Sequence, residues 1–544
     1  MSAQATSETT PHDPGLSRRT LGVPSITLMI IAASAPLTVV AGGVTTSFAV
    51  TGSLGVPLGF LLIAIILALF AVGYTAMSRF VTNAGAFYAY VSQGLGRPLG
   101  VGGSLVALVS YNAMQIGIYG LFGFQLSMFL EAKLGFASPW WLWVLICIAI
   151  VGVLGVNRVD LSAKVLGVLV SLEFVAVIVF DIVSFAVSPE GVTTAALAPA
   201  ALFGPSLGLI LVFGVAAFMG FEGAAIYGEE AKDPKRTVPR ATYAAVAIIG
   251  LFYAFSAWAF SVGIGPSEIV AQSREFGPDL MFVFMTEHTS VIIADIMTLL
   301  FITSLFAALQ SFHNAVARYF FSLGREGVLP HAFSHTSKAG APWAGSLAQT
   351  VLAVVVVVGF ALAGDAFGGA DAMAESLDVP AFLFPVLTMF TWLTNTGAAG
   401  LVLLMGLTAF AVIGYFRKHR HGVNAWTSIV APAVSGVLLI WMFFMILGNF
   451  QLMLGQAEPD VTTFILPGLI VLGLVVGIVW AFVLRSSKPE IYRQIGHGTE
   501  PGAYGTEVID APAGREWQPA PRAPGRAASR SVRSPAPRAP RSRD

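Results

Sequence analysis

The sequence predicts an all-α polytopic membrane protein with about twelve transmembrane helices. Three observations predict it. Hydrophobic residues make up 56% of the 544-residue chain and charged residues only 11%, with a mean hydropathy of +0.79, whereas soluble proteins carry roughly 25% charged residues. Apolar runs long enough to cross ~30 Å of hydrocarbon, about 20 residues each, recur along the chain. Lys and Arg gather at every second connection between these runs, as the positive-inside rule requires.

The runs are numbered here as helix 1 to helix 12. The first six are predicted at Ile26–Val50, Pro57–Phe80, Leu99–Leu130, Pro139–Val156, Leu161–Val187 and Ser206–Tyr227. The rest are Tyr243–Gly263, Val291–Phe321, Leu347–Ala363, Leu393–Phe416, Trp426–Leu447 and Phe464–Leu484. The apolar stretch Phe382–Trp392 either extends helix 10 outward or forms a short re-entrant segment. With both termini in the cytoplasm, Lys133 and Arg274 are the only ones of the 29 Lys and Arg residues left outside. The reverse orientation breaks the positive-inside rule at nearly every loop. The expected location is therefore the cytoplasmic membrane of the cell, as a multi-pass protein.

Residues 1–20 are polar and expected to be a disordered cytoplasmic tail. The first 25 residues lack the short apolar core of a secretory leader, so helix 1 is expected to be retained. Residues 491–544 are rich in Pro, Ala, Ser and Arg and read as a disordered basic tail, solvated or resting on anionic lipid. Cys147 has no second cysteine to pair with and reads as a small buried apolar residue.

Two helices are interrupted. Helix 1 carries Ala32-Ala33-Ser34-Ala35-Pro36-Leu37-Thr38, then Ala41-Gly42-Gly43; Pro36 lacks an amide hydrogen and frees backbone acceptors one turn earlier. Alone, that is equally a simple kink. Helix 6, five spans later, holds Gly214, Gly220 and Gly223 around a lone Glu222 and ends in the charge cluster Glu229 to Arg240. Interrupted segments at matching positions of two halves mark a binding site between inverted repeats. Half-helix N-termini offer amides to an anion, and half-helix C-termini offer carbonyls to a cation. A zwitterionic amino acid uses both. The halves show no convincing sequence identity, so the repeat rests on spacing.

Gly220-Phe221-Glu222 through Gly228-Glu229-Glu230-Ala231-Lys232-Asp233-Pro234 to Arg240, and Asn314-Ala315-Val316-Ala317-Arg318 through Gly324-Arg325-Glu326-Gly327 to Pro330, resemble the amino acid–polyamine–organocation permeases. Asn83-Ala84-Gly85-Ala86-Phe87-Tyr88-Ala89-Tyr90 is similar to a third element of that family. The likeness runs from about residue 20 to 490. It implies a leucine-transporter-type five-plus-five inverted repeat with broken helices 1 and 6, a core at 21–420 and peripheral helices 11 and 12 at 421–490. It also implies that substrate carboxylate docks at Ser34, Ala35, Pro36, Leu37 and Thr38. Substrate amine would then dock at the carbonyls of Ala216, Ala217, Phe218 and Met219, beside Gly220. Phe218 or Phe221 would close over the substrate. Many relatives have Gly-Ser-Gly where this chain has Ser-Ala-Pro.

Glu173 lies among Val170, Leu172, Phe174 and Val175. A charge at mid-membrane is costly, so this carboxyl is paired or protonated inside the bundle, as a structural pin or as a proton carrier. In several family members a lysine near this place stands in for a sodium ion. Glu222 reads as a contact for substrate amine or as a structural tie between helices. Asp181 and Asp295 are expected near solvent. Thr303 and Ser304 on helix 8 are candidate sodium ligands, although membrane hydroxyls more often bond their own backbone. Asn112 and Gln115 on helix 3 are candidates for the pocket wall or for helix–helix bonding. His313 is expected near the cytoplasmic side.

The chain has no Walker loop, no HExxH motif, no nucleophile elbow and no selectivity-filter repeat. The expectation is a non-enzymatic permease for amino acids, without cofactor, resident metal or nucleic-acid partner, embedded in the lipid bilayer. It would work by alternating access with a proton, or else sodium, as coupling ion. The second reading is exchange, or a polyamine or organic cation as substrate. A non-transporting sensor ranks below both.

Overall fold

In lipid a backbone satisfies its own polar groups as a helix, and each predicted run forms one. The computed structural model describes residue 16 and residues 20–498, except 158, 339, 378, 379, 420 and 457. The expected N-terminal tail therefore lies outside the described residues but for 16 and 20, as does the C-terminal tail beyond 498.

Among the described residues, eleven helices are long and apolar enough to span a bilayer. Helix 4, Trp140–Gly155, is apolar but has only 16 residues. Helices 1, 2 and 3 run over Val23–Thr51, Val56–Met77 and Arg97–Leu134. Helix 5 is Val159–Val187. Helices 6 to 9 are Leu207–Ala225, Pro234–Ile264, Val291–Arg325 and Trp343–Ala366, and helices 10 to 12 are Ala381–Lys418, Trp426–Gly448 and Val461–Ser487. The ambiguous stretch 382–392 extends helix 10, through a π-turn at Val386–Phe390. Helix 7 starts earlier than hydropathy indicates: Pro234 occupies its first turn, where a missing amide hydrogen costs nothing.

Helices 3, 6 and 10 are the most buried, helices 9 and 12 the least. Helix 12 seats on helix 3 through glycines; a Cβ on Gly477 would come within 2.6 Å of Gly102 Cα. Such close approach drives packing where lipid removes the hydrophobic incentive. The two halves correspond. Helices 1 and 6 are both broken, and helices 3 and 8 have 38 and 35 residues. The link from helix 2 to helix 3 holds the short helix Phe87–Gly94, and the link from helix 7 to helix 8 holds Ile269–Phe276 and Leu280–His288.

These two links lie on opposite faces. Phe87–Gly94 lies on the face where both ends of the described chain sit. There Thr20 and Leu21 amides donate to the Glu230 carbonyl at 3.0 and 3.1 Å, and Gln93 Nε2 donates to Gly496 O at 2.6 Å. The 7–8 link lies on the far face, where Arg274 Nε donates to Ala49 O near the end of helix 1. The folded part continues past residue 490: Pro489–Gln494 is a helical turn and Ile495 is fully buried.

Candidate functional site

Helix 1 breaks at Ala35, whose φ of 48° and ψ of 75° are left-handed. That conformation is rare outside glycine. Pro36 explains the departure from the right-handed helix, because a residue before proline is pushed out of it; the left-handed angles are not the extended ones that proline favours. The Ala35 amide reaches back to the carbonyls of Ile31 and Ala32, at 3.1 and 3.2 Å. Past the break the helix widens into a π-turn at Val39–Val44. Thr45 and Ser47 hydroxyls donate to the carbonyls of Ala41 and Gly43, at 2.6 and 2.7 Å.

Helix 6 breaks within its glycine-rich stretch. After a 3-10 turn at Ala216–Phe218, Met219 is extended and Gly220 has φ 103°. A Cβ on Gly220 would collide with Cβ of Ala33, so only glycine lets the two breaks touch. The breaks meet at Ala33 and Gly220.

Glu173 reaches the helix 1 break from helix 5. Its Oε2 accepts from the Leu37 amide at 3.5 Å and from Ser304 Oγ at 2.7 Å, and Ser304 Oγ lies 3.2 Å from Thr38 Oγ1. Its Oε1 is buried with no hydrogen-bond partner. Tyr253 of helix 7 closes the other side, donating to Ser34 O and Ser34 Oγ at 3.2 and 3.0 Å. Helices 1, 5, 7 and 8 thus build one polar cluster around the break.

Glu222 is held differently. Oε1 accepts from Tyr111 OH at 2.6 Å, Oε2 accepts from the Gly220 amide at 3.0 Å, and its carbonyl accepts from Tyr74 OH at 2.6 Å. Phe218 packs against Phe60 and Tyr253, on the helix 1 side. Phe221 packs edge-on against Phe70 of helix 2.

The other sequence candidates make contacts of their own. Thr303 donates to its own Leu300 carbonyl. Asn112 donates to Leu108 O, leaving Oδ1 buried without a partner. Gln115 joins His313 and Tyr119 and accepts from Gln349, a cluster that ties helix 3 to helices 8 and 9. His313 continues it to Ser346 at 2.7 Å. Asp295 pairs with Lys133 at 2.7 Å and is one-third exposed, as expected near solvent. Asp181 corrects its expectation: it is buried, and Ser256 donates to its Oδ2 at 2.9 Å.

The face bearing the chain ends is sealed by charge. Arg318 is fully buried, pairs with Glu230 at 2.5 Å and stacks over Tyr227. Arg325 grips Glu229 with both terminal nitrogens, at 2.6 and 2.8 Å. Glu326 accepts from Asn83, Tyr88 and the amides of Gly496 and Gly498. Burial pushes the Glu326 carboxyl above its ordinary range, against those hydrogen bonds. Sequence reasoning missed Tyr74, Tyr111 and Tyr253. Their signal was a phenol inside an apolar run, since a buried phenol seeks a hydrogen-bond partner.

Two broken helices touching inside the bundle, beneath a face closed by ion pairs, are features of a secondary transporter. The chain belongs to the amino acid permease family, whose model matches residues 26–493. It is similar to a low-affinity putrescine importer of Escherichia coli K12, 25% identical over 58% of this chain and 69% of that one. It is also similar to the lysine-specific permease of the same strain, 26% identical over 76% of this chain and 80% of the relative. A branched-chain amino acid permease of Lactococcus lactis subsp. cremoris is 24% identical over 56% and 68%.

Proposed function

We propose that the protein takes up amino acids across the cytoplasmic membrane in symport with protons, with both termini and the sealed face in the cytoplasm. Substrate carboxylate docks at Ser34 to Thr38 and substrate ammonium at the carbonyls of Ala216 to Met219. Phe218, beside Tyr253 and the helix 1 break, closes over it. Phe218, Met219 and Phe221 favour a neutral, largely apolar side chain.

Glu173 carries the reading. Ionised, it places a negative charge on the Leu37 amide, at the half-helix end that the substrate carboxylate must approach. A proton on the idle Oε1 removes that charge and leaves the Leu37 and Ser304 bonds to Oε2 in place. Proton and amino acid therefore favour each other's binding, which is the thermodynamic content of symport. A diamine substrate, as the putrescine importer's name suggests, needs a second free carboxylate near the helix 6 break. Both oxygens of Glu222 are already engaged, which favours an amino acid.

The test is uptake of a mixed labelled amino acid pool into sodium-free proteoliposomes, with and without an inward proton gradient. Wild type accumulates label only with the gradient. Glu173→Gln loses that accumulation by on the order of a hundredfold while retaining substrate binding. Gradient-independent uptake that requires internal amino acid would make the protein an exchanger. Uptake only on adding sodium would move the coupling ion to Thr38, Ser304 and Glu173.

A further inference from the structure

Helix 5 turns one continuous stripe toward the bundle: Glu173, Val177, Phe180, Asp181 and Ser184 are all buried, while Leu172, Val175, Ile178, Val179 and Ile182 are exposed. Hydrophobic burial accounts for Val177 and Phe180. It does not account for three polar groups, each with an oxygen that has no hydrogen-bond partner: Glu173 Oε1, Asp181 Oδ1 and Ser184 Oγ. Unsatisfied buried oxygens are costly and call for an explanation. An intramembrane carboxyl in a transporter points first to an ion or proton route.

The stripe leads outward from Glu173. Ser184 abuts Gly263, where a Cβ would come 2.6 Å from Ser184 Cβ. Gly263 and Val187, one turn beyond Ser184, line a far-face cavity of about 530 Å³ whose rim carries Glu268, Glu275 and Glu287. Inward, Asp181 lies eight residues from Glu173, about 12 Å along a helix. Helix 7 spans that gap with two hydroxyls one turn apart. Ser256 donates to Asp181 Oδ2, and Tyr253 donates to Ser34 at the helix 1 break, where Glu173 accepts from the Leu37 amide.

We propose that Asp181 is the outer station of a two-carboxyl proton route, receiving protons from the far-face cavity past Ser184 and passing them by Ser256 and Tyr253 to Glu173. This rests on the proton-symport reading above. At each hop one oxygen takes a proton and another releases one, so no co-reactant is needed. Asp181 takes a proton on Oδ1 from the cavity side. The carboxyl then rotates to hand that proton to Ser256 Oγ. The hydroxyl's own proton, released from its bond to Oδ2, passes to Tyr253 as the phenol gives its proton toward Glu173 Oε1. Each relaying group ends with the protons it began with. Ser256 of helix 7 faces Asp181, with Tyr253 one turn away on the same helix, and Phe284 of Leu280–His288 packs against the neighbouring Phe180. Glu287 and His288 at the end of that helix, with Glu268 and Glu275, are the titratable groups at the cavity. Asp295 of helix 8 is tied to Lys133.

The experiment compares wild type, Asp181→Asn, Asp181→Glu and Ser256→Ala in sodium-free proteoliposomes with the mixed labelled amino acid pool. Two readings are taken: gradient-driven accumulation across a series of external pH values, and counterflow at equal pH on both sides. The expected result is that Asp181→Asn slows gradient-driven uptake by about tenfold or more and flattens its dependence on external pH. Counterflow stays intact, Asp181→Glu restores the pH profile, and Ser256→Ala falls between. If wild type is proton-driven and Asp181→Asn and Ser256→Ala keep its pH profile, the route is overturned and the symport reading stands. If Asp181→Asn loses counterflow along with uptake, Ser256→Ala decides: a wild-type profile overturns the route, and a flattened one with counterflow intact supports it. If wild type ignores the gradient, both the symport reading and the route fall.

Discussion

Buried charge is handled in opposite ways in two regions of this molecule. At the face bearing the chain ends, every carboxylate of the seal meets strong donors: Glu230 with Arg318, Glu229 with Arg325, and Glu326 with four donors. Along helix 5, Glu173 and Asp181 each keep one oxygen idle. A fully paired charge holds one arrangement and resists change. A carboxyl with an idle oxygen can take up and release a proton without losing its other bonds. The seal is suited to holding one arrangement, and the stripe to the proton route proposed above. Glu222 sits beside the break yet belongs with the seal in kind, since all its acceptors are used.

The largest expected effect comes from breaking the seal. Arg318→Ala leaves Glu230 buried without its cation, a loss of about 3–5 kcal/mol. It should lower the midpoint of thermal unfolding of the purified protein more than any other substitution discussed here. A midpoint within error of wild type would mean that the pair is solvated in the membrane and that the contrast between the regions is not one of pairing.

Glu222→Gln is the next largest. Its amide nitrogen cannot accept from the Gly220 amide, so one buried donor is left unsatisfied, at about 1–3 kcal/mol. Stability should fall while the proton dependence of uptake persists. Loss of proton dependence with stability unchanged would move Glu222 out of the seal's class and into that of Glu173.

How much of this could be read in the sequence follows from what each feature depends on. Spans and helix breaks are local: apolar length sets the first, and Pro36, Gly220 and their neighbours set the second. The break at Ala35 falls where a following proline bars the right-handed helix. The division of labour among carboxyls is not local. Glu173, Asp181 and Glu222 look alike as single acids in apolar runs. What separates them is Ser304, Ser256 and Tyr111, residues 131, 75 and 111 positions away. A position toward a helix end suggests solvent for Asp181; the helices packed around it decide otherwise. Gln115 is readable as polar and buried, but its partners on helices 8 and 9 are not.

The smallest effect separates two adjacent hydroxyls. Thr303 and Ser304 are equal candidates as coupling-ion ligands by sequence, and their side chains diverge. Thr303 bonds Leu300 O within its own helix, so Thr303→Ala should change stability by no more than about 0.5 kcal/mol and leave uptake unchanged. Ser304 donates to Glu173 Oε2 and touches Thr38. Removing its hydroxyl strips the carboxylate of its shortest hydrogen bond. Ser304→Ala should therefore change the pH profile of uptake, where Thr303→Ala leaves it as in wild type. Equal profiles for the two alanine variants would detach Glu173 from coupling even if the rest of the site stood.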